Sequence, residues 1–146
     1  MKTIVICSSV AFYRKAVDLQ EELQKQGYTV LVPDGATKMK KTGNFAVSSS
    51  KTWFENPEDY HKKAKLMRDH FDKVAKGDAV LILNDEKHGV ANYIGGNVLM
   101  EMSLAFYLNK PIYILNDIPE DSPFVEEIIG MGSVPLHGKL DVLPKT

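Results

Sequence analysis

Three runs of β-branched and aliphatic residues constrain this chain most: Thr3-Ile4-Val5-Ile6-Cys7, Ala79-Val80-Leu81-Ile82-Leu83 and Ile112-Tyr113-Ile114-Leu115. Each run is continuous rather than alternating, which is the pattern of a strand covered on both faces, as in a parallel sheet flanked by helices. Thr29-Val30-Leu31-Val32, closed by Pro33, reads as a further strand, and residues 134–136 supply a last one.

Helical patterns lie between these strands. Phe12, Ala16, Leu19 and Leu23 keep helical spacing, and Gly27 supplies a stop. Asn56 is a good N-cap, Pro57 suits the first helical position, and Glu58 and Asp59 complement the helix dipole. Tyr60, Ala64, Met67, Phe71 and Val74 then form one apolar stripe that ends at Gly77. Further helices are expected over residues 97–108 and 124–131. The order βαβαβαβαβ predicts an α/β fold: one domain over residues 1–146, with a five-stranded, mainly parallel sheet, helices on both faces and flavodoxin/Rossmann-like architecture. Residues 34–55 show no convincing period; Gly, Lys, Thr and Ser dominate them. A connection this long is either functional or mobile, so a lid and a poorly ordered insertion are both open readings.

Composition narrows the function classes. The chain has 146 residues, 44% hydrophobic content and a formal charge of −1, which suits a globular domain and gives no overall attraction to nucleic acid or membrane. Residues 38–76 are locally basic, with ten Lys/Arg against five Asp/Glu, a pattern open to a solvated face or to attraction for an anionic ligand such as a phosphate. The single cysteine, Cys7, excludes an internal disulfide and reads as a buried structural thiol. His61, His70, His88 and His137 lack metal-ligand spacing, so no metal is expected. No apolar segment approaches membrane-spanning length, and a cytoplasmic location is expected.

In such folds ligands bind beyond the carboxyl ends of the strands, which puts Ser8-Ser9, Asn84-Asp85 and Asn116-Asp117 along one rim. The turn Tyr93-Ile94-Gly95-Gly96-Asn97 opens a helix whose only ionisable groups are Glu101 and Tyr107. A helix apolar all round is buried, and a buried unpaired carboxylate costs several kcal/mol, so Glu101 must face something polar. Asn97 lies one turn earlier on the same face, and the glycines let a ligand approach the backbone N–H groups.

The Gly-Gly turn, Glu101-Met102-Ser103-Leu104-Ala105 and then Asn109-Lys110-Pro111-Ile112 resemble the nucleoside 2-deoxyribosyltransferase superfamily, which includes nucleoside 5′-monophosphate N-glycosidases. That group shows a Gly-rich loop, Glu-x-Gly-x-Ala and Gly-Lys-Pro before the next strand. The resemblance implies a nucleoside 2-deoxyribosyltransferase-like domain in which Glu101 attacks C1′ of the sugar and expels the base, and a second base or water resolves the glycosyl-enzyme. Ser8, Ser9 and Phe12 would help hold sugar, base or phosphate, with Asn84, Asn92, Tyr93, Gly95, Gly96 and Asn97 completing the substrate-binding set. Ser103 and Ser8 stand where the family usually has Gly. Its usual acid, eight positions before the Asp that leads the third strand, falls on His70, with Asp69 beside it. His70 borders the apolar stripe and reads as a surface or edge histidine or as a replacement for that acid. Gly95-Gly96-x-x-x-x-Glu101 also resembles the signature of the cytokinin-activating phosphoribohydrolases.

The resemblance thus implies an N-glycosidic hydrolase or (deoxy)ribosyltransferase acting on nucleosides or nucleoside monophosphates, with no cofactor and no nucleic-acid polymer as partner. The Met-rich helix over 97–108 and the family's intersubunit pockets point to a homodimer or larger oligomer. A non-catalytic nucleotide or nucleotide-sugar sensor is the alternative. A flavin carrier is disfavoured, because Cys7-Ser8-Ser9-Val10-Ala11-Phe12 lacks a Ser/Thr/Gly-rich phosphate loop.

Overall fold

In the computed structural model, which describes residues 2–145, the apolar runs become the five parallel strands of one sheet. In chain order these are β1 (Thr3–Ser8), β2 (Thr29–Leu31), β3 (Ala79–Leu83), β4 (Ile112–Ile114) and β5 (Val134–Pro135). They stand side by side in the order β2-β1-β3-β4-β5. The chain therefore winds outward in both directions from β1 and β3, and this pair is the topological switch point. Cys7 is in register with Ile82, and Ser8 with Leu83, at the carboxyl ends of the two strands.

Successive side chains on a strand point to opposite faces, and two cores follow from that alternation. Ile4, Ile6, Leu81 and Leu83 pack with Ala16, Leu19 and Leu23 of helix α1 (Tyr13–Lys25) on one face. Val5, Cys7, Val80 and Ile82 pack on the other with Val74 of α3 (Tyr60–Lys76), Val98, Met102 and Ala105 of α4 (Gly96–Tyr107) and Ile128 of α5 (Val125–Gly130). At Gly77 an added Cβ would lie 2.4 Å from Val5 Cγ2, so the chain leaving α3 passes too close to β1 for any larger residue. No described helix is long and apolar enough to cross a membrane.

Four sequence expectations are corrected. Residues 34–55 are not structureless: helix α2 (Asp34–Thr42) occupies the first part, and short 3-10 turns lie at Val47–Ser49 and Thr52–Phe54. Only Ala36 and Met39 of α2 are buried, too few to mark a period, and Gly43 closes the helix at φ 74°. Asn56 makes no side-chain cap; Pro57–Asp59 is a 3-10 turn and α3 starts at Tyr60, while Thr52 Oγ1 donates to Asp59 Oδ2 at 2.8 Å. The face of α3 is rotated from the expected stripe, so that Tyr60 and Ala64 are exposed and His70 is buried beside Val74. Finally, α4 is not covered all round: Met100, Phe106 and Tyr107 are exposed.

Candidate functional site

The carboxyl ends of β1 and β3 open into a cleft of about 160 Å³ whose floor is Glu101. Gly95 precedes α4 in extended conformation, and a Cβ there would lie 3.0 Å from the Tyr93 hydroxyl, so glycine lets the Tyr93 ring fold back over the turn. One turn into α4, Asn97 Nδ2 donates to Glu101 Oε2 at 3.2 Å. Glu101 is 3% exposed. Burial pushes its carboxyl up to about 7, while the Cys7 thiol and the Lys63 ammonium pull the other way. Near neutral pH the group is therefore split between acid and carboxylate.

Two further buried groups meet Glu101. Cys7, from β1, is fully buried, and burial followed by the Glu101 charge raises its thiol well above the ordinary range, so it is neutral. His70, from α3, is 4% exposed, and its Nε2 lies 3.0 Å from the Ile6 carbonyl oxygen. Burial, then the Lys73 charge, lowers the imidazole to about 4, so it too is neutral. A carbonyl only accepts, hence Nε2 carries the hydrogen and Nδ1 is a lone-pair acceptor. That Nδ1 is buried and has no partner. Ligand atoms of Cys7, His70 and Glu101 lie within 4.8 Å of one another, a set whose chemistry suits zinc. It comes from three separate elements, which is why histidine spacing gave no sign of it.

The walls are polar and basic. Tyr13, at the start of α1, faces the cleft, and burial, then the Glu101 charge, raises its phenol, which stays protonated. Lys87 donates to Ser9 Oγ at 3.0 Å and sits 4.9 Å from the Tyr93 ring centroid. Lys63 donates to Asn97 Oδ1 at 3.3 Å and lies 5.6 Å from the Trp53 ring centroid. Ser50, Lys51 and Trp53 close the cleft from the second half of the 34–55 segment. Trp53 is also a wall of a separate hollow of about 580 Å³ bounded by α2 and α3.

The expected site residues divide accordingly. Ser8, Ser9, His70, Tyr93, Gly95, Gly96, Asn97 and Glu101 line the cleft together. Asp69 does not: it pairs with Lys65 at 2.6 Å and faces the other hollow. Phe12 is buried in the α1 core. Asn84 is fully buried and braces the rim, donating to the Asp117 carbonyl at 2.9 Å and accepting from the Asn116 N–H at 3.0 Å. Asn92 sits in the turn at φ 55° and is not among the lining residues. Sequence reasoning missed Tyr13, Lys51, Trp53, Lys63 and Lys87. Only the basic bias of residues 38–76 hinted at two of them.

Fold and site together define a doubly wound α/β protein with a polar, basic-walled cleft at the β1/β3 switch point. No family model matches the chain, and no curated protein matches it.

Proposed function

We propose that this protein cleaves the N-glycosidic bond of a nucleoside or nucleoside monophosphate, with Glu101 as the nucleophile. The observation that carries the reading is a carboxylate on the floor of a strand-end cleft whose acidity is tuned to about 7. One Glu101 oxygen attacks the anomeric carbon, and the bond to the base breaks with its electron pair leaving on the base, which takes up a proton from solvent. Water then adds at the same carbon from the face opposite Glu101, breaking the bond to Glu101 and losing one proton to solvent, which balances the proton taken up by the base. A second base in place of the water makes the reaction a transfer. Incubation with a panel of nucleosides and nucleotides, followed by chromatography for free base, tests the assignment. Base release that disappears in Glu101→Gln supports it; no release from any member, or full activity in that variant, overturns it.

A non-catalytic nucleotide sensor is the second reading, favoured by one departure: a histidine stands where the resembled family carries an acid. Calorimetric binding of a nucleotide without turnover would select it. The exposed apolar side chains of α4 support a homo-oligomer, with Met100 42%, Phe106 53% and Tyr107 80% accessible in the single chain. Light scattering showing a clean monomer would remove that part of the proposal.

A further inference from the structure

Ser8, His70, Asn84 and Glu101 are the buried polar side chains among the described residues. Asn84 is hydrogen-bonded to Asn116 and Asp117, and Ser8 gives its hydroxyl hydrogen to the Ser9 carbonyl. His70 and Glu101 instead converge on the buried Cys7 thiol, and one ligand atom from each of the three lies within 4.8 Å of the other two. Within this cluster His70 Nδ1 keeps a lone pair that nothing donates to.

The groups are held from behind. The His70 Nε2 hydrogen goes to the Ile6 carbonyl, which orients the ring and leaves Nδ1 as its free acceptor. Asn97 Nδ2 donates to Glu101 Oε2, and Lys63 donates to Asn97 Oδ1, which turns the amide N–H toward the carboxylate. Cys7 sits on β1 in register with Ile82 of β3, inside the sheet. A backbone carbonyl behind an imidazole and an amide behind a carboxylate are the outer partners that metal-ligating groups carry.

We infer that Cys7, His70 and Glu101 bind one zinc ion through Sγ, Nδ1 and a carboxylate oxygen, with the fourth position open to the cleft. A thiolate, an imidazole and a carboxylate form a donor set for zinc, and the soft sulfur disfavours magnesium and calcium. Donors of a tetrahedral zinc stand about 3.3–3.6 Å apart, so atoms already within 4.8 Å close by about 1.5 Å at most. Zinc replaces the thiol proton and any proton on the carboxyl. Thiolate and carboxylate then cancel its two charges, so no net charge is buried. His70 and Glu101 line the cleft, and water or a ligand donor reaches the metal from that side. The inference goes beyond the glycosidic reading and bounds it: a carboxylate neutralised by zinc no longer attacks an anomeric carbon, so that chemistry belongs to the metal-free protein.

The whole chain, stripped with a chelator and dialysed, is expected to bind one zinc in calorimetry near neutral pH with a Kd below about 1 μM. Cobalt(II) in place of zinc should give a thiolate-to-metal charge-transfer band in the near-ultraviolet and the intense visible bands of four-coordination. Cys7 is the one cysteine, so it alone can supply the sulfur band. Glu101→Gln and His70→Leu should each weaken zinc about a hundredfold or more, with circular dichroism confirming that both are folded. No uptake, a cobalt spectrum without the sulfur band, or unchanged affinity in either variant overturns the inference; the last is what binding at the exposed His61, His88 and His137 would give. Base release that continues at full rate with one zinc bound overturns it as well. Zinc held by this set, without base release from the metal-free protein, keeps the inference and removes the glycosidase. Base release by a protein that takes up no zinc does the reverse.

Discussion

His70 gives its Nε2 hydrogen to the carbonyl of Ile6 across 3.0 Å, and that single bond from α3 to β1 leaves Nδ1 as a bare, buried acceptor. The ring is thereby committed to one tautomer, and ionisation is expected near pH 4. Nitrogen-15 spectra should show Nε2 protonated and Nδ1 bare from pH 8 down to about 5. A ring that titrates near its ordinary value of 6.5 would contradict the burial described.

The same bond bears on stability. Replacing His70 by Leu leaves the Ile6 carbonyl buried without a donor and should cost about 1–3 kcal/mol in urea unfolding, whereas His70→Gln, which keeps an N–H, should cost less. Because the folded pKa of His70 lies below the unfolded one, its contribution is complete above pH 6.5 and is lost as pH falls toward 4. The Leu variant should lack that acid slope.

Glu101 acts in the opposite direction. Its folded pKa of about 7 exceeds the ordinary 4.5, so the folded state holds the extra proton and stability drains as pH rises through that window. Ionising it at pH 8 costs about 3 kcal/mol, and Glu101→Gln should be more stable than wild type by that order at pH 8 and equal at pH 4. Paired urea titrations at the two pH values test it. The proposed chemistry needs the carboxylate, so base release should climb with pH around 7 while stability declines.

Gly77→Ala should destabilise by about 1–3 kcal/mol, because the new methyl meets Val5 Cγ2 and neither α3 nor β1 can yield without opening the core behind the site. The backbone there has φ −74°, so the cost is steric and not conformational. An unchanged melting temperature would show that the two elements can separate freely.

If the exposed side of α4 mediates self-association, Phe106→Glu should abolish it at low micromolar concentration by sedimentation and leave the monomer folded, since Phe106 is 53% accessible.

Strands and the larger helices were legible because burial on both faces leaves an unbroken apolar run and Gly27 and Gly77 mark the helix ends. The Gly95-Gly96 turn and Glu101 were legible for another physical reason, one charge on an oily helix. What stayed hidden was set by tertiary geometry. Helix α2 rests on Ala36 and Met39 alone, and a nine-residue helix with two buried positions has no readable period. The rotation of α3 buries His70 and turns Asp69 toward the other hollow, and no spacing along the helix marks it. Lys51, Lys63 and Lys87 converge from three places with no shared spacing, so each alone looks like any surface lysine.

Cys7, His70 and Glu101 meet from three different elements, and the acidity of Glu101 depends on that meeting. In the nascent or unfolded chain Glu101 is an ordinary glutamate, fully ionised and hydrated, no different from the surface carboxylates. Its distinctive acidity comes into being only when β1, α3 and α4 have all closed around it. That acidity is a property of the closed arrangement of all three elements, and a carboxyl-selective reagent that prefers the protonated acid would report, at neutral pH, whether they have closed.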